Sequence, residues 1–283
     1  MFASAMMFGA MAFAAKIAAA RLSGPEVAMV RMAFGLLPVF VVPRWLRSAT
    51  KVQRFDLILI RGVFGGLAVM LYFLAIQHTS VGVATLLNYT SPIWSGLMSM
   101  LFLRERFSAR VLVPLPIAFL GIFLVVHAHA RPGEVLGFGR WELAGALSAV
   151  AGGAAITAIR AARRTESSWA VYASFCFFGM LVNAPLALLH WQRPTHDEWL
   201  ALAATGFLAM GAQLFMTFSL RWLDAMTTGV ISQLAVVMSF IFGAVFLHDR
   251  ITPAGALGSA LTIGGVIGVI YLTSRFRAEP VVT

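Results

Sequence analysis

FLRERFS at residues 102–108 and FLHDRIT at residues 246–252 carry the same order of residue types: aromatic, Leu, basic, acidic, Arg, apolar and hydroxyl. Only 11% of the chain is charged, so a charged pattern that is written twice is informative. The shift from 102 to 246 is 144 positions, and the same ungapped shift pairs other glycines and cations. We interpret the chain as one unit written twice, with these pairs: Gly9 with Gly153, Lys16 with Arg160, Phe34 with Phe178, Gly35 with Gly179, Gly62 with Gly206, Glu105 with Asp249, Arg106 with Arg250 and Gly121 with Gly265.

The composition indicates an all-α integral membrane protein. Hydrophobic residues make up 60% of the 283 residues, and the mean hydropathy is +0.87. Soluble domains have about 45–50% apolar and about 25% charged residues. Apolar runs near 20 residues recur along the chain, as bilayer-spanning helices require. A net charge of +10 then reflects membrane topology, and no nucleic-acid partner is expected.

The distribution of Lys and Arg between the predicted spans indicates which side of the membrane each connection faces. Ten apolar spans are predicted at about 1–20, 25–42, 56–76, 80–102, 109–128, 142–162, 168–189, 198–219, 225–247 and 253–273. The opening stretch is interpreted as the first span rather than as a cleaved leader. By the positive-inside rule the richer set faces the cytoplasm, which puts both termini inside. That set is Arg44, Arg47, Lys51, Arg54, Arg104, Arg106, Arg110, Arg163, Arg164, Arg221, Arg275 and Arg277; the opposite set is Arg21, Arg131, Arg140, Arg193 and Arg250.

An odd number of spans per copy requires the second copy to enter the membrane from the other side. The predicted fold is therefore ten transmembrane helices in two inverted five-helix repeats, residues 1–128 and 142–273, around a central cavity. Such repeats are typical of secondary transporters, whose substrate site lies near the midplane at the repeat interface. Because one chain contains both halves, a monomer is expected. The single cysteine, Cys176, excludes an intrachain disulfide.

The sequence also resembles a known family. LLNYTSPIWSGLMSMLFLRERFS at 86–108 and VISQLAVVMSFIFGAVFLHDRIT at 230–252 are similar to the fourth and ninth helices of the drug/metabolite transporter superfamily, specifically its EamA-type branch. Phe8, Gly9 and Arg31 also match. The second copy departs from the pattern, because Leu234, Ala235 and Val236 replace the Thr-Ser-Pro of the first, so a kink there is not assured. The resemblance implies a bacterial inner-membrane transporter that moves small metabolites, often out of the cell. Within the family, the sequence looks most similar to the aromatic amino-acid exporters.

The positions of the carboxylates bear on ion coupling. Glu26, Glu105, Asp56, Glu142 and Asp224 all lie at or beyond the ends of predicted spans. A proton-coupled exporter of cations needs a buried Asp or Glu that binds the cation and the proton in turn. We therefore expect facilitated diffusion or exchange of neutral or zwitterionic solutes, such as amino acids.

Polar and aromatic side chains at mid-span depth are the candidate substrate ligands. Asn88 and Gln233 are preferred, and Pro92 removes the N–H donor that the Asn88 carbonyl would otherwise bind. Lys16, in the outer third of the first span, is a candidate for a substrate carboxylate, with snorkelling to the interface as the alternative. Arg31 is interpreted as structural, through helix-end carbonyls. Hydrogen bonding or packing between helices is the alternative for every member of the predicted site: Lys16, Tyr72, Asn88, Tyr89, Trp94, Asn183, Gln213 and Gln233.

Other functions fit the sequence less well. An antiporter for nucleoside-like or cationic compounds remains the alternative substrate class, and a channel is not excluded by composition. An enzyme is not expected, because the sequence has no Ser–His pairing, no HExxH motif and no paired carboxylates. No cofactor is expected, and His127 and His129 are interpreted as interfacial histidines rather than metal ligands.

Overall fold

The computed structural model describes residues 1–103, 113–128, 139–162, 165–219, 231–249 and 252–275. Within these ranges every regular element is a helix, which confirms the predicted all-α class. The helices are α1 (Phe2–Ala18), α2 (Gly24–Val41), α3 (Pro43–Thr50), α4 (Phe55–His78), α5 (Val81–Asn88), α6 (Ser91–Leu103), α7 (Pro114–Ala128), α8 (Arg140–Ala162), α9 (Ser168–Leu189), α10 (His196–Ser219), α11 (Leu234–Phe246) and α12 (Pro253–Arg275).

The outer surface of these helices is apolar. Among the described residues, α2, α4, α8, α9, α10 and α12 are long and apolar enough to cross a bilayer, and α1, α7 and α11 are shorter apolar helices. Phe2, Phe40, Phe102 and Leu189 are 64%, 62%, 75% and 75% exposed. Large apolar patches of this kind mark contact with a membrane or a partner rather than with water.

Two features differ from the predicted spans. The predicted span 80–102 is two helices, α5 and α6, with a break between them. The short helix α3 was not predicted; all of its residues are at least partly exposed, and Trp45 stacks on Trp169 of α9 with ring centroids 4.0 Å apart. Arg44 and Arg47 of α3 lie on either side of Trp45 in the sequence. Cations next to an aromatic residue are typical of a helix at the membrane interface. The predicted spans 109–128 and 225–247 begin outside the described residues.

Serine residues determine where several helices begin. Ser23 Oγ accepts a hydrogen bond from Glu26 N at 3.3 Å, and Ser167 Oγ accepts one from Ala170 N at 3.0 Å. Each serine is the N-cap, so it satisfies an amide that has no partner within the helix. Ser167 lies 144 positions after Ser23, so α2 and α9 begin in the same way at equivalent positions.

The second copy of the heptad contains a helix stop. Leu247 N and Asp249 N both donate to the Gly243 carbonyl, at 3.0 and 3.1 Å, and His248 between them has a φ of 58°. This left-handed residue ends α11 and directs its last N–H groups back to a helix carbonyl. Glu105, Arg106 and Arg250 of the two heptads lie outside the described residues.

The helices pack in a pattern that brings distant parts of the chain together. α4 packs against α8 and α9, α1 packs against α10 and α11, α2 packs against α9, and α7 packs against α12. Glycines lie at the closest approaches, because a Cβ there would overlap the neighbouring helix. A Cβ on Gly62 would lie 2.5 Å from Phe178 Cβ, and one on Gly206 would lie 2.6 Å from Phe34 Cβ. A Cβ on Gly9 would lie 2.7 Å from Met238 Cβ, and one on Gly153 would lie 2.5 Å from Trp94 Cβ.

Polar contacts at the helix ends form two separate groups. Arg21 Nε donates to Glu198 Oε1 at 2.7 Å, and Arg21 Nη2 donates to the Arg193 carbonyl at 2.8 Å. In the other group, Glu166 Oε1 accepts from Gln53 N at 2.8 Å and from Arg54 N at 2.6 Å. The charge distribution assigns the two groups to opposite sides of the membrane: Arg21 and Arg193 belong to one set of cations and Arg54 belongs to the other.

The glycine contacts make a prediction about stability. We expect Gly153→Ala to lower the melting temperature of the purified protein in detergent, because its Cβ would lie within 3.0 Å of Trp94 Cβ and of backbone atoms of Trp94 and Ser95. Overpacking costs about 1–3 kcal/mol, more than the roughly 0.5–1 kcal/mol that alanine gains over glycine in a helix.

Gly96→Ala is the matched control, since a Cβ there meets nothing within 4 Å. Tryptophan fluorescence during heating measures both variants. A Gly153→Ala protein at least as stable as the control would contradict the packing of α6 on α8.

Candidate functional site

The break between α5 and α6 is the centre of the candidate site. α5 ends at Asn88 and α6 begins at Ser91. Thr90 N donates to the Leu87 carbonyl at 3.2 Å and Ile93 N donates to the Thr90 carbonyl at 2.9 Å, so the chain makes tight turns instead of regular helix. Pro92 explains the break, because proline has no N–H and its ring clashes with the preceding turn.

A second helix is interrupted at the equivalent position. Ile231 and Ser232 are helical, Gln233 forms a turn, and α11 begins at Leu234. Val236 N donates to the Gln233 carbonyl at 3.0 Å, a tight turn like the one after Thr90. Helices are therefore interrupted at two positions that are 144 residues apart, although the second has no proline and nothing in its sequence explains the turn.

The two interruptions meet. Gln233 is only 3% exposed, and its Nε2 lies 3.5 Å from the Tyr89 carbonyl, a long hydrogen bond. Gln233 lies 144 positions after Tyr89, so the contact joins equivalent positions of the two copies. Interrupted helices carry backbone groups that lack their regular partners, and in membrane transporters such groups bind substrates and ions.

Asn88 and Tyr72 extend the polar region around this meeting point. Half-buried Asn88 donates through Nδ2 to Ser148 Oγ of α8 at 3.0 Å. Tyr72 Oη lies 2.9 Å from Thr85 Oγ1, and Thr85 donates its own proton to the Val81 carbonyl at 2.7 Å. Since a hydroxyl has one proton, Tyr72 is the donor to Thr85. We call Tyr72, Asn88, Tyr89 and Gln233 the crossing site.

The side chain of Lys16 in α1 contacts the C-terminal end of α4. Its Nζ donates to the carbonyls of Ile76, Gln77 and Thr79 at 2.7, 3.2 and 2.8 Å. These carbonyls belong to the C-terminal end of α4, where a positive charge is favourable. Three acceptors match the three protons of an ammonium group, so the contact explains why a lysine is tolerated in α1. Its binding of a substrate carboxylate stays a prediction.

The remaining predicted residues contact neighbouring helices. Asn183 is fully buried and donates to the carbonyls of Gly66 and Gly179 at 3.3 and 2.7 Å, while its Oδ1 has no partner among the described residues. Trp94 packs over Gly153 and meets Phe119 edge to face, with centroids 6.3 Å apart. Gln213, on α10, has a polar or electrostatic partner of its own. The structure thus brings Asn88, Tyr89 and Gln233 together and leaves Asn183 and Trp94 in helix contacts.

Two arginines inside the bundle were not recognised as site candidates. Arg61, six residues into α4, was overlooked, although its position within a predicted span is itself a functional signal. Arg31 was expected to bind helix-end carbonyls, and that expectation stays a prediction. It lies near aromatic rings, with Cζ 5.6 Å from the Phe73 centroid and 6.0 Å from that of Phe175.

An apolar groove lies away from the crossing site. It has a volume of about 260 Å³ and lies between α2, α9 and α10, with Met29, Phe34, Leu37, Met180 and Trp199 in its walls. Its lining has almost no polar surface, so it suits a lipid chain better than a zwitterion. In the described part of the chain, no group of three or more His, Cys, Asp or Glu residues could hold a metal ion.

Comparisons with known proteins agree with this architecture. A solved crystal structure matches 98% of this chain and 99% of its own length at a TM-score of 0.60 and 22% identity, which shows the shared fold. The pseudopaline exporter CntI of Pseudomonas aeruginosa is 29% identical over 274 residues, covering 96% of this chain and 93% of the exporter. An uncharacterized transporter of Archaeoglobus fulgidus is 24% identical over 86% of this chain and 85% of its own.

The sequence profile of the EamA-like transporter family matches residues 1–127 and again residues 139–271. Both matched ranges consist of the apolar helices described above, and together they cover most of the chain. This chain is a membrane transporter that belongs to the EamA-like transporter family.

Proposed function

We propose that this transporter exports or exchanges amino-acid-like zwitterions, most favourably neutral and aromatic ones, across a bacterial inner membrane. The observation that carries the proposal is the meeting of two interrupted helices at Tyr89 and Gln233. A zwitterion needs both donors and acceptors, and the amide side chains of Asn88 and Gln233 supply both. The name of the Pseudomonas aeruginosa relative, an exporter, supports outward transport.

Two inverted repeats, residues 1–128 and 142–273, are part of the proposal. The family profile matches two ranges close to these bounds. The glycine contacts support it further, because each comes with a counterpart 144 positions away: Gly62 against Phe178 and Gly206 against Phe34, and likewise Gly9 against Met238 and Gly153 against Trp94. A two-fold axis that exchanges the repeats would place every such pair in the same surroundings. Ten spans, five in each repeat, follow from this arrangement.

Alternating access is the mechanism that such repeats favour. One repeat rocks against the other around a fixed site, so that the site opens to each side in turn. The crossing site suits this motion, since its residues come from both repeats: Tyr72, Asn88 and Tyr89 from the first and Gln233 from the second. One chain contains both halves, and we propose that it acts as a monomer.

Transport without obligatory proton coupling completes the proposal. Every acidic residue in the described ranges lies within a few residues of a helix end. Glu26 is the closest to an exception, since it lies in the first turn of α2 and is fully buried. Both of its carboxylate oxygens are buried without a hydrogen-bond partner among the described residues, and it is remote in the sequence from the crossing site.

The first prediction concerns coupling. We expect counterflow of L-phenylalanine in proteoliposomes to persist when no pH gradient is imposed, because the crossing site contains no carboxylate. Radiolabelled uptake with and without the gradient measures this, and protein-free liposomes are the control. Glu26→Gln should retain transport. Uptake that requires the gradient, and is lost in Glu26→Gln, would refute the uncoupled mechanism.

The second prediction concerns the ligands. We expect Asn88→Ala and Gln233→Ala to lower L-phenylalanine uptake roughly twofold to tenfold at equal protein levels, since each lost hydrogen bond is worth about 0.5–1.5 kcal/mol. Ser148→Ala removes only the side chain that Asn88 contacts on α8 and is the matched control. If Ser148→Ala reduces uptake as much as Asn88→Ala, then Asn88 acts through helix contact rather than through substrate.

The third prediction concerns orientation. In a Cys176→Ala background, we expect cysteines at Lys51 and Arg193 to react with a membrane-impermeant maleimide from opposite sides. Both positions are exposed. Arg193 belongs to one of the two groups of polar end contacts, and Lys51 lies two residues before Gln53 of the other. Only Arg193→Cys should react in spheroplasts, and Lys51→Cys should react in inside-out vesicles. Reaction of both from one side would rule out the proposed topology.

A further inference from the structure

Arg31 of α2 and Arg61 of α4 both lie near one aromatic ring inside the bundle. Arg61 Cζ lies 4.1 Å from the Phe175 centroid, and Arg31 Cζ lies 6.0 Å from the same centroid. Arg31 is only 7% exposed. Gly65, one turn after Arg61, leaves room for its guanidinium, because a Cβ there would overlap Nη1. The fold therefore places two cations inside the bundle of a membrane protein, where even one is rare.

No counter-charge accompanies this pair in the described part of the chain. The ion pairs found there join Arg21 with Glu198 and Arg54 with Asp56, both near helix ends. Arg61 Nε is buried without a hydrogen-bond partner among the described residues. Arg31 lies near two aromatic rings, with Cζ 5.6 Å from the Phe73 centroid and 6.0 Å from the Phe175 centroid.

Two like charges inside the bundle without an anion are unfavourable. Arg31 is almost fully buried and Arg61 is partly buried with its Nε shielded, so both have lost part of their water and repel each other at reduced dielectric. Contact with the faces of Phe73 and Phe175 returns part of the lost stabilisation but satisfies none of the N–H donors. An anion between the two guanidinium groups would satisfy both. A carboxylate fits best, because its two oxygens match the planar fork of arginine.

The pair adjoins the crossing site. Arg31 Cζ lies 5.6 Å from the Phe73 centroid, and the ring of Tyr72, which belongs to that site, lies 5.5 Å from the ring of Phe73. The equivalent of Arg31 in the second copy is Phe175, 144 positions later, so only the first copy contributes this cation. A ligand that spans the two places would therefore bind in one orientation, with its anionic end toward α2, α4 and α9.

We propose that Arg31 and Arg61 form a carboxylate-binding subsite, and that the transported compounds carry a carboxylate held there. The inference rests on the proposed function, since it supplies the anionic end of the zwitterion that the crossing site would bind. It also narrows the substrate class: amides and esters of the same compounds, and cations in general, lack the group that the arginines bind.

Binding to the purified full-length protein tests the subsite separately from transport. Ligand-induced shifts in melting temperature give affinities for L-phenylalanine, L-phenylalaninamide and 3-phenylpropionate at constant ionic strength. We expect both carboxylates to stabilise the wild-type protein and the amide not to. Arg31→Gln and Arg61→Gln should each weaken carboxylate binding at least tenfold, whereas Arg31→Lys and Arg61→Lys should retain part of it.

Arg54→Gln is the matched control, since it removes an exposed cation near the start of α4 and should leave binding unchanged. If one glutamine variant does not fold, the other and the lysine variants decide the question. Equal stabilisation by the amide, or carboxylate binding that survives both glutamine substitutions, would overturn the proposal. Inorganic phosphate as an equally good competitor would do so as well, by showing a general anion site.

The same experiment separates the subsite from the proposed function. Carboxylate binding that depends on the arginines, together with no uptake of any amino acid, would reject amino-acid transport and keep the subsite. Uptake that persists in Arg31→Gln and Arg61→Gln, with unchanged preference for L-phenylalanine over its amide, would reject the subsite and keep the transporter.

Discussion

The absence of water around the helices is the constraint on which this structure depends. In a bilayer every polar group must find its partner within the protein. Thr85 and Ser239 accordingly donate to carbonyls four residues earlier in their own helices, and Lys16 binds the carbonyls at the end of α4. Against this background, polar groups without an internal partner are informative. Among the described residues they include Arg61 Nε beside Phe175, both carboxylate oxygens of Glu26 and Oδ1 of Asn183.

Close helix packing and the crossing site are both accounted for by the repeat that we propose. Gly62 lets α4 approach α9, and Gly206, 144 positions later, lets α10 approach α2. The breaks at Tyr89 and Gln233, also 144 positions apart, are in contact. The charges do not follow the repeat: position 31 is arginine where position 175 is phenylalanine, and position 61 is arginine where position 205 is threonine. A symmetric scaffold thus holds an asymmetric set of polar groups, which favours one orientation of an asymmetric ligand.

Some side chains could be interpreted from the sequence and others could not. Asn88, Tyr89 and Gln233 were identifiable because polar residues at mid-span depth are costly, and the structure brings them together. Asn183 and Trp94 satisfy the same rule but serve helix packing, and only their contacts with Gly66 and Gly153 reveal this. Arg61 shows the opposite case. Its position within a predicted span marked it as a functional candidate, but the role that we propose for it depends on Arg31 and Phe175, which come from two other helices.

The sequence by itself determined the class and the family. Apolar runs and their charged boundaries specify spanning helices through the cost of transfer into lipid, and that cost depends on each segment alone. The tertiary structure decided which polar groups meet, because that depends on the rotation and crossing of helices far apart in the chain. The break at Gln233 shows the difference: no proline marks it in the sequence, and only the tertiary structure shows its contact with the broken helix at Tyr89.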